Sequence, residues 1–238
     1  MNHLDIQCCE LIKTYHGRQA LDGISVTFDH AAITGLLGVN GAGKSTLIKS
    51  ILHLIQLDTG KIIYPENVTV GYLPEMAQLP LSATAWQVVL FAAQLRKNTN
   101  TDNATRDAAI ALLLARVQLQ RQYWHKPLRH FSKGMRQRVA LAYAIATQPE
   151  WLILDEPMSG LDAMGRKQFL EIIQEVHSGG AGVLVCSHIV PDLVRLCDSI
   201  LLMYDGKIVD EIVLQDHSME EARVVEERLV NVAECDDG

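Results

Sequence analysis

The sequence has no apolar run near the ~20 residues that crossing a bilayer requires. Its most apolar pieces, Ala108 to Val117 and Ser199 to Tyr204, are too short or are broken by charge. A membrane span is therefore not expected, and any work at a membrane needs another protein to hold the chain there. A secretory leader is not expected either: MNHLDIQCCELIK carries acids and polar residues where a leader needs a basic start and an apolar core. The expectation is a cytoplasmic chain. Basic excess is lacking too, since the formal net charge is -7, which argues against nucleic acid as a partner. An acidic surface still permits docking onto another protein. Cysteine is sparse and unpaired in pattern: Cys8, Cys9, Cys186, Cys197 and Cys235 form no C-x-x-C spacing. That excludes the usual zinc frameworks and leaves small buried hydrophobes, with Cys235 read as an exposed tail thiol. No repeat of solenoid length is present.

What is there suits a folded chain. Its 238 residues, 48% hydrophobic and 21% charged, can bury a sizeable core in one large domain or two small ones. Alternation of Leu4, Ile6 and Cys8, then of Ile24, Val26 and Phe28, predicts edge strands, with KTYHGRQALDG as a turn-rich link between them. Ala32 to Leu37 is an apolar run ending in glycines, as a buried strand would. Helical spacing of Leu47, Ile48, Ile51, Leu52 and Ile55 predicts a helix from Lys44 to Ile55. Two short strands are expected around Pro65-Glu66-Asn67. Helices are then predicted at Trp86 to Arg96, Thr105 to Gln118 and Ser132 to Thr147. Alternation resumes with strands at Trp151 to Leu154, Val183 to Ser187 and Ser199 to Met203, between helices at Ala163 to Val176 and Val190 to Leu196. A turn at Tyr204 to Lys207 leads into Ile208 to Ile212, and Ser218 to Val230 reads as a charged helix.

Gly38-Val39-Asn40-Gly41-Ala42-Gly43-Lys44-Ser45 fits G-x-x-x-x-G-K-[ST] without a mismatch. Glycines let the backbone curl until successive N–H groups point at phosphate oxygens, and the following helix adds its positive end. Lys44 is placed to reach the β and γ phosphates of ATP, and the Ser45 hydroxyl to ligate Mg²⁺, with Thr46 beginning the helix beside them. The motif demands a strand before it and a helix after it, and both are predicted here.

A second signal is Trp151-Leu152-Ile153-Leu154-Asp155-Glu156, an apolar strand ending in two carboxylates. An unpaired buried carboxylate is expensive, so the acids need a reason. One reading makes Asp155 a holder of the Mg²⁺ shell and Glu156 the group that orients and polarises an attacking water. Another makes them a helix cap and a solvated glutamate before Pro157. The phosphate loop upstream favours the first.

These two motifs say only P-loop NTPase. Phe131-Ser132-Lys133-Gly134-Met135-Arg136-Gln137-Arg138 narrows that, because it resembles the signature of ABC ATPases, usually LSGGQ before a basic helix. Ser132 reads as the helix N-cap, and the serine and glycine there make an anion site. The resemblance, running from about Leu4 to Ile212, implies further roles. Ser159-Gly160-Leu161-Asp162 looks like the D-loop, with Asp162 at a dimer interface. His188 in Cys186-Ser187-His188 looks like the switch residue that contacts the γ-phosphate. Tyr15 resembles the aromatic on which adenine stacks. Glu75 in Gly71-Tyr72-Leu73-Pro74-Glu75 takes the place of the Q-loop glutamine, near Mg²⁺ and the γ-phosphate.

Departures from the family pattern are Glu75 itself, and Lys133 and Met135, which replace a glycine and the glutamine of LSGGQ. GYLPE with SKGMRQR resembles a branch that drives exporters of drugs, lipids or polysaccharides, or that matures surface metalloproteins, so Glu75 is read as functional. The resemblance implies an α/β P-loop core of ABC ATPase type with an N-terminal antiparallel β subdomain and an inserted all-helical subdomain. The core would span residues 1–75 and 149–214, the helical insert 76–148 and a tail 215–238. It implies an ATPase subunit on the inner face of the cell membrane. Its partners would be an integral membrane permease and a second nucleotide-binding subunit, in a homodimer that sandwiches ATP. Two alternatives stand beside it. A non-transport ABC ATPase would carry a second cassette, coiled coils or zinc insertions, and a regulatory partner would bind ATP with little hydrolysis.

Overall fold

The computed structural model describes residues 4–95 and 102–234. Arg96, the expected end of one helix, and Cys235, the expected tail thiol, lie outside the described residues. The chain divides into two compact units: one formed by the chain up to Val68 together with Gly182 onward, the other by Thr69–Ala181.

The first unit opens with a hairpin of β1 (Ile6–Tyr15) and β2 (Arg18–Phe28). The expected turn-rich link is mostly strand. Its turn is only His16-Gly17, with φ of 48° and 83°. Two successive positive φ values match the right-handed twist of paired strands, which is why so short a turn suffices. β1 is also not an edge. It sits between β2 and β4 (Thr59–Ile63) in an antiparallel sheet. The parallel part of this unit runs in the order β7 (Gly182–Cys186), β3 (Ile33–Leu37) and β8 (Ser199–Tyr204), with β9 (Lys207–Val213) antiparallel to β8. Every residue of β3 and β7 is buried, as continuous apolar strands covered on both faces must be.

α1 (Lys44–Ile51) stops a turn earlier than its apolar spacing suggests. His53 takes φ 53°, Leu54 N–H donates to Lys49 O at 2.8 Å and His53 N–H to Ser50 O at 3.0 Å. This is a Schellman ending built on histidine instead of glycine, so Leu54 turns out to solvent. α6 (Val190–Leu196) has the expected bounds, and α7 (Met219–Glu234) completes this unit.

The second unit pairs β5 (Val70–Leu73) with β6 (Trp151–Asp155) in parallel. Around it come α2 (Ala85–Gln94), α3 (Asn103–Arg116), α4 (Lys133–Ala146) and α5 (Ala163–Ser178). Thr84 starts α2 with a capping box: its Oγ1 accepts from Gln87 N–H at 3.2 Å, and Gln87 Oε1 accepts from Thr84 N–H at 2.9 Å. Trp151, Phe169 and Leu73 are fully buried at its centre. No helix among the described residues is long and apolar enough to cross a membrane.

Candidate nucleotide site

In the first unit, β3 ends at Leu37 and the phosphate loop carries the chain into α1. Gly41 and Gly43 have φ of 86° and 103°, in the region that side chains strain to enter. A Cβ on Gly38 would strike the carbonyl oxygen of Met203, and one on Gly43 that of Ala20. The loop is thus wedged against its neighbours at both ends. Gly43 is the N-cap of α1 and brings no side-chain oxygen, so no side-chain cap occupies the first N–H groups of the helix. Lys44 is buried, its Nζ donating to Gly38 O at 2.7 Å and Val39 O at 3.0 Å. The ammonium is therefore held across the mouth of the loop. Ser45 and Thr46 follow in the first turn, half-buried.

Register brings His188 to the same end. Leu36 pairs with Cys186, and Ser187 N–H donates to Leu36 O at 3.2 Å. Gly38 and His188 each lie two residues beyond that rung, at the carboxyl ends of adjacent parallel strands, where open α/β sheets bind ligands. Ser187 Oγ accepts from Ile189 N–H at 3.1 Å and so fixes the turn from which the exposed imidazole projects. Tyr15 makes its contacts within its own hairpin: it pairs with Arg18, and the Lys13 ammonium sits 5.3 Å from its ring centroid.

The second unit has a matching arrangement. Leu73 pairs with Leu154, so Glu75 and Glu156 each stand two residues past one rung of the β5–β6 pair. Asp155 is 4% exposed and Glu156 half-buried, with Glu156 at φ 48°. A non-glycine residue held in that region needs its surroundings to over-determine it, which is a mark of functional loops. Ser132 caps α4 as expected, its Oγ accepting from Met135 N–H at 3.2 Å. Asp162 caps α5 by accepting from Gly165 N–H at 2.7 Å, and remains exposed.

One feature was not found in the sequence. Gln137, 4% exposed, donates to Pro157 O at 3.0 Å, directly after Glu156. A glutamine within an otherwise apolar helical stripe was the available signal. A groove was expected where the helical insert meets the Glu75 loop, and an apolar groove of about 550 Å³ is lined by Val70, Tyr72, Leu79, Val88, Phe91 and Tyr143 among others. Its residues come from four separate segments, so spacing alone does not show it.

The family model described as ABC transporter matches residues 21–159. The chain belongs to the ABC transporter family, among its ATP-binding proteins. A relative from Synechocystis, an uncharacterized ABC transporter ATP-binding protein, is 36% identical over 199 residues, covering 80% of this chain and 56% of that one. This chain thus spans a little over half of that relative's length. The lipopolysaccharide export system ATP-binding protein of Haemophilus influenzae is 29% identical over 211 residues, covering 84% and 86%. Among solved structures, an ATP-binding subunit of an ABC transporter superposes with a TM-score of 0.79 at 27% identity, covering 92% of this chain and 98% of that one. The α/β cassette expected from the sequence is the fold of this family.

Proposed function

We propose that the chain is the motor of an exporter, driving a separate membrane permease from the inner face of the cell membrane. The observation that carries this reading is the phosphate loop, with its wedged glycines, uncapped helix start and Lys44 held across its mouth. In an ABC family member that cradle is built for ATP. Export is supported by the Haemophilus relative's name and by the GYLPE and SKGMRQR segments.

Each residue has a proposed task. Tyr15 stacks on adenine, and the backbone of Gly38, Val39, Asn40, Gly41, Ala42 and Gly43 meets the phosphates. Lys44 neutralises the β and γ phosphates, and His188 touches the γ-phosphate. Ser45 offers Mg²⁺ a hydroxyl, Asp155 and Glu75 carboxylates; when bound, Mg²⁺ would neutralise charge on the β and γ oxygens. Glu156 orients and polarises the attacking water. Ser132 and Gly134 offer their helix start to the nucleotide of a second copy, with Asp162 at the interface, so that two chains close head to tail on ATP. Residues 76–148 form the helical subdomain and, with the Glu75 loop, receive a cytoplasmic helix of the permease in the apolar groove.

Steady-state ATP hydrolysis against protein concentration tests this, with Glu156→Gln alongside. A rate per chain that rises with concentration and is lost in the variant is expected. A rate independent of concentration would refute a site completed by a second chain, and a Glu156→Gln variant at wild-type rate would refute the role of Glu156.

A further inference from the structure

Lys133 stands where the usual family signature has a glycine, and the functional reading leaves it without a task. In the structure its Nζ donates to Ser159 Oγ at 3.0 Å. The stem lies over the backbone of the next residue: a Cβ built on Gly160 would come 2.8 Å from Lys133 Cδ, 3.1 Å from Cε and 3.3 Å from Nζ. A Cβ on Gly134 would lie 3.4 Å from Leu161 Cδ2 and 3.7 Å from Gly160 O, so the signature turn itself rests on the same segment. One helical turn further, on the same face of α4, Gln137 reaches Pro157 O at 3.0 Å. The start of α4 therefore holds the segment after Glu156 at Pro157 and at Ser159–Gly160.

We infer that Lys133 is a positioning residue that locks the Ser159–Leu161 turn, and through it the stretch beginning at Glu156, against the signature of the same chain. A glycine at 133 has no arm with which to do this. Glu156 adopts a strained left-handed backbone, which persists only if its surroundings fix it. Gln137 fixes the near end of the following segment from a buried position. Lys133 fixes the far end from an exposed one, so its tie can be made and broken without unfolding α4. Since Ser132 and Gly134 are the residues proposed to meet the second chain's nucleotide, Lys133 connects that event to the placement of Glu156. This inference rests on the functional reading above.

The test is a double-mutant cycle in the full chain. Lys133→Met keeps the stem and removes the ammonium, Ser159→Ala removes the acceptor, and Lys133→Arg restores a donor. Each of the first two is expected to lower kcat about three- to tenfold, with the KM for ATP nearly unchanged. The double variant should be no worse than the poorer single one, and Lys133→Arg should recover most of the loss. Losses that multiply in the double variant overturn the tie. So does a raised KM in Lys133→Met with a silent Ser159→Ala, which would place the ammonium on the nucleotide instead. Hydrogen exchange of the peptide spanning residues 156–162 reads the tie without activity: faster exchange in both single variants is expected, and unchanged exchange overturns the proposal. If the unmodified chain hydrolyses nothing, the motor reading fails, while the exchange result still decides the tie.

Discussion

The two inner glycines of the phosphate loop should respond differently to the same substitution. Gly41 and Gly43 both have positive φ, at 86° and 103°, so alanine at either one incurs the left-handed penalty of about 1–2 kcal/mol. Their surroundings differ. A Cβ on Gly41 meets nothing within 4 Å, whereas one on Gly43 runs into the carbonyl oxygen of Ala20 and lies 2.6 Å from Met203 Cε. The methionine tip can move, but the backbone carbonyl is fixed in β2. Overpacking adds about 1–3 kcal/mol at Gly43. At about 2–4 °C per kcal/mol for a chain of this size, Gly41→Ala should lower Tm by about 2–8 °C and Gly43→Ala by roughly twice as much.

Asparagine separates the two causes. It enters the left-handed region more readily than alanine, so Gly41→Asn should recover much of the loss. Gly43→Asn should recover little, because the collision with Ala20 remains. Thermal unfolding of the four variants, with binding of a fluorescent ATP analogue as a second reading, checks this. Equal losses for the two alanine variants, or asparagine rescue at both sites, would show that the wedge against β2 does not constrain the loop.

Asp58 gives a pH dependence. The hydrogen bond from Lys13 at 2.9 Å, with that from Thr14 N–H, holds its carboxyl below the ordinary 3.8. Its folded value lies under its unfolded one, so its stabilisation is fully present above about pH 4 and is lost as pH falls through the folded value. Urea unfolding should therefore separate wild type from Asp58→Asn at pH 6, and the gap should narrow toward pH 3; a constant gap contradicts the linkage. Burial, with Cys9 beside it, pushes the Cys8 thiol up to about 12, leaving roughly one thiolate in ten thousand at pH 8. Iodoacetamide at pH 8 followed by peptide mass spectrometry should label half-buried Cys9 well before Cys8, and equal labelling in native buffer would refute the burial of β1.

Much of the fold was legible because its signals are local. The buried strand, glycine loop and helix from Ile33 onward follow from an apolar run, four glycines in eleven residues of sequence and a helical stripe. Val190–Leu196 is bounded by Pro191 at its start and by the next strand at its end. The misreadings have physical causes. Residues 13–23 are polar and contain glycines, yet they pair because that sheet tolerates exposed polar side chains and because His16 accepts a positive φ that sequence assigns to glycine or asparagine. His53 ends α1 for the same reason, so the stripe through Leu52 and Ile55 overstated the helix. The tie from Gln137 to Pro157 and that from Lys133 to Ser159 join residues 20 and 26 positions apart, a proximity that no periodicity encodes.

Parallel pairing also gives a physical reason why Glu75 deserves a place beside Glu156. In a parallel pair, both chains leave a shared rung toward the same end of the strands. The rung Leu36–Cys186 places Gly38 and His188 this way in the first unit, and Leu73–Leu154 places Glu75 and Glu156 in the second. The sequence separates Glu75 from Glu156 by eighty-one positions, and only the β5–β6 register makes them counterparts. A carboxylate where the family usually has an amide thus follows its strand at the same end as the proposed catalytic glutamate. It is a charge difference at the edge where the proposed metal and water chemistry takes place, with little change in side-chain length. On the proposed assignment, the departure at Glu75 bears on the electrostatics of hydrolysis, while the departure at Lys133 bears on the geometry of the segment that follows Glu156.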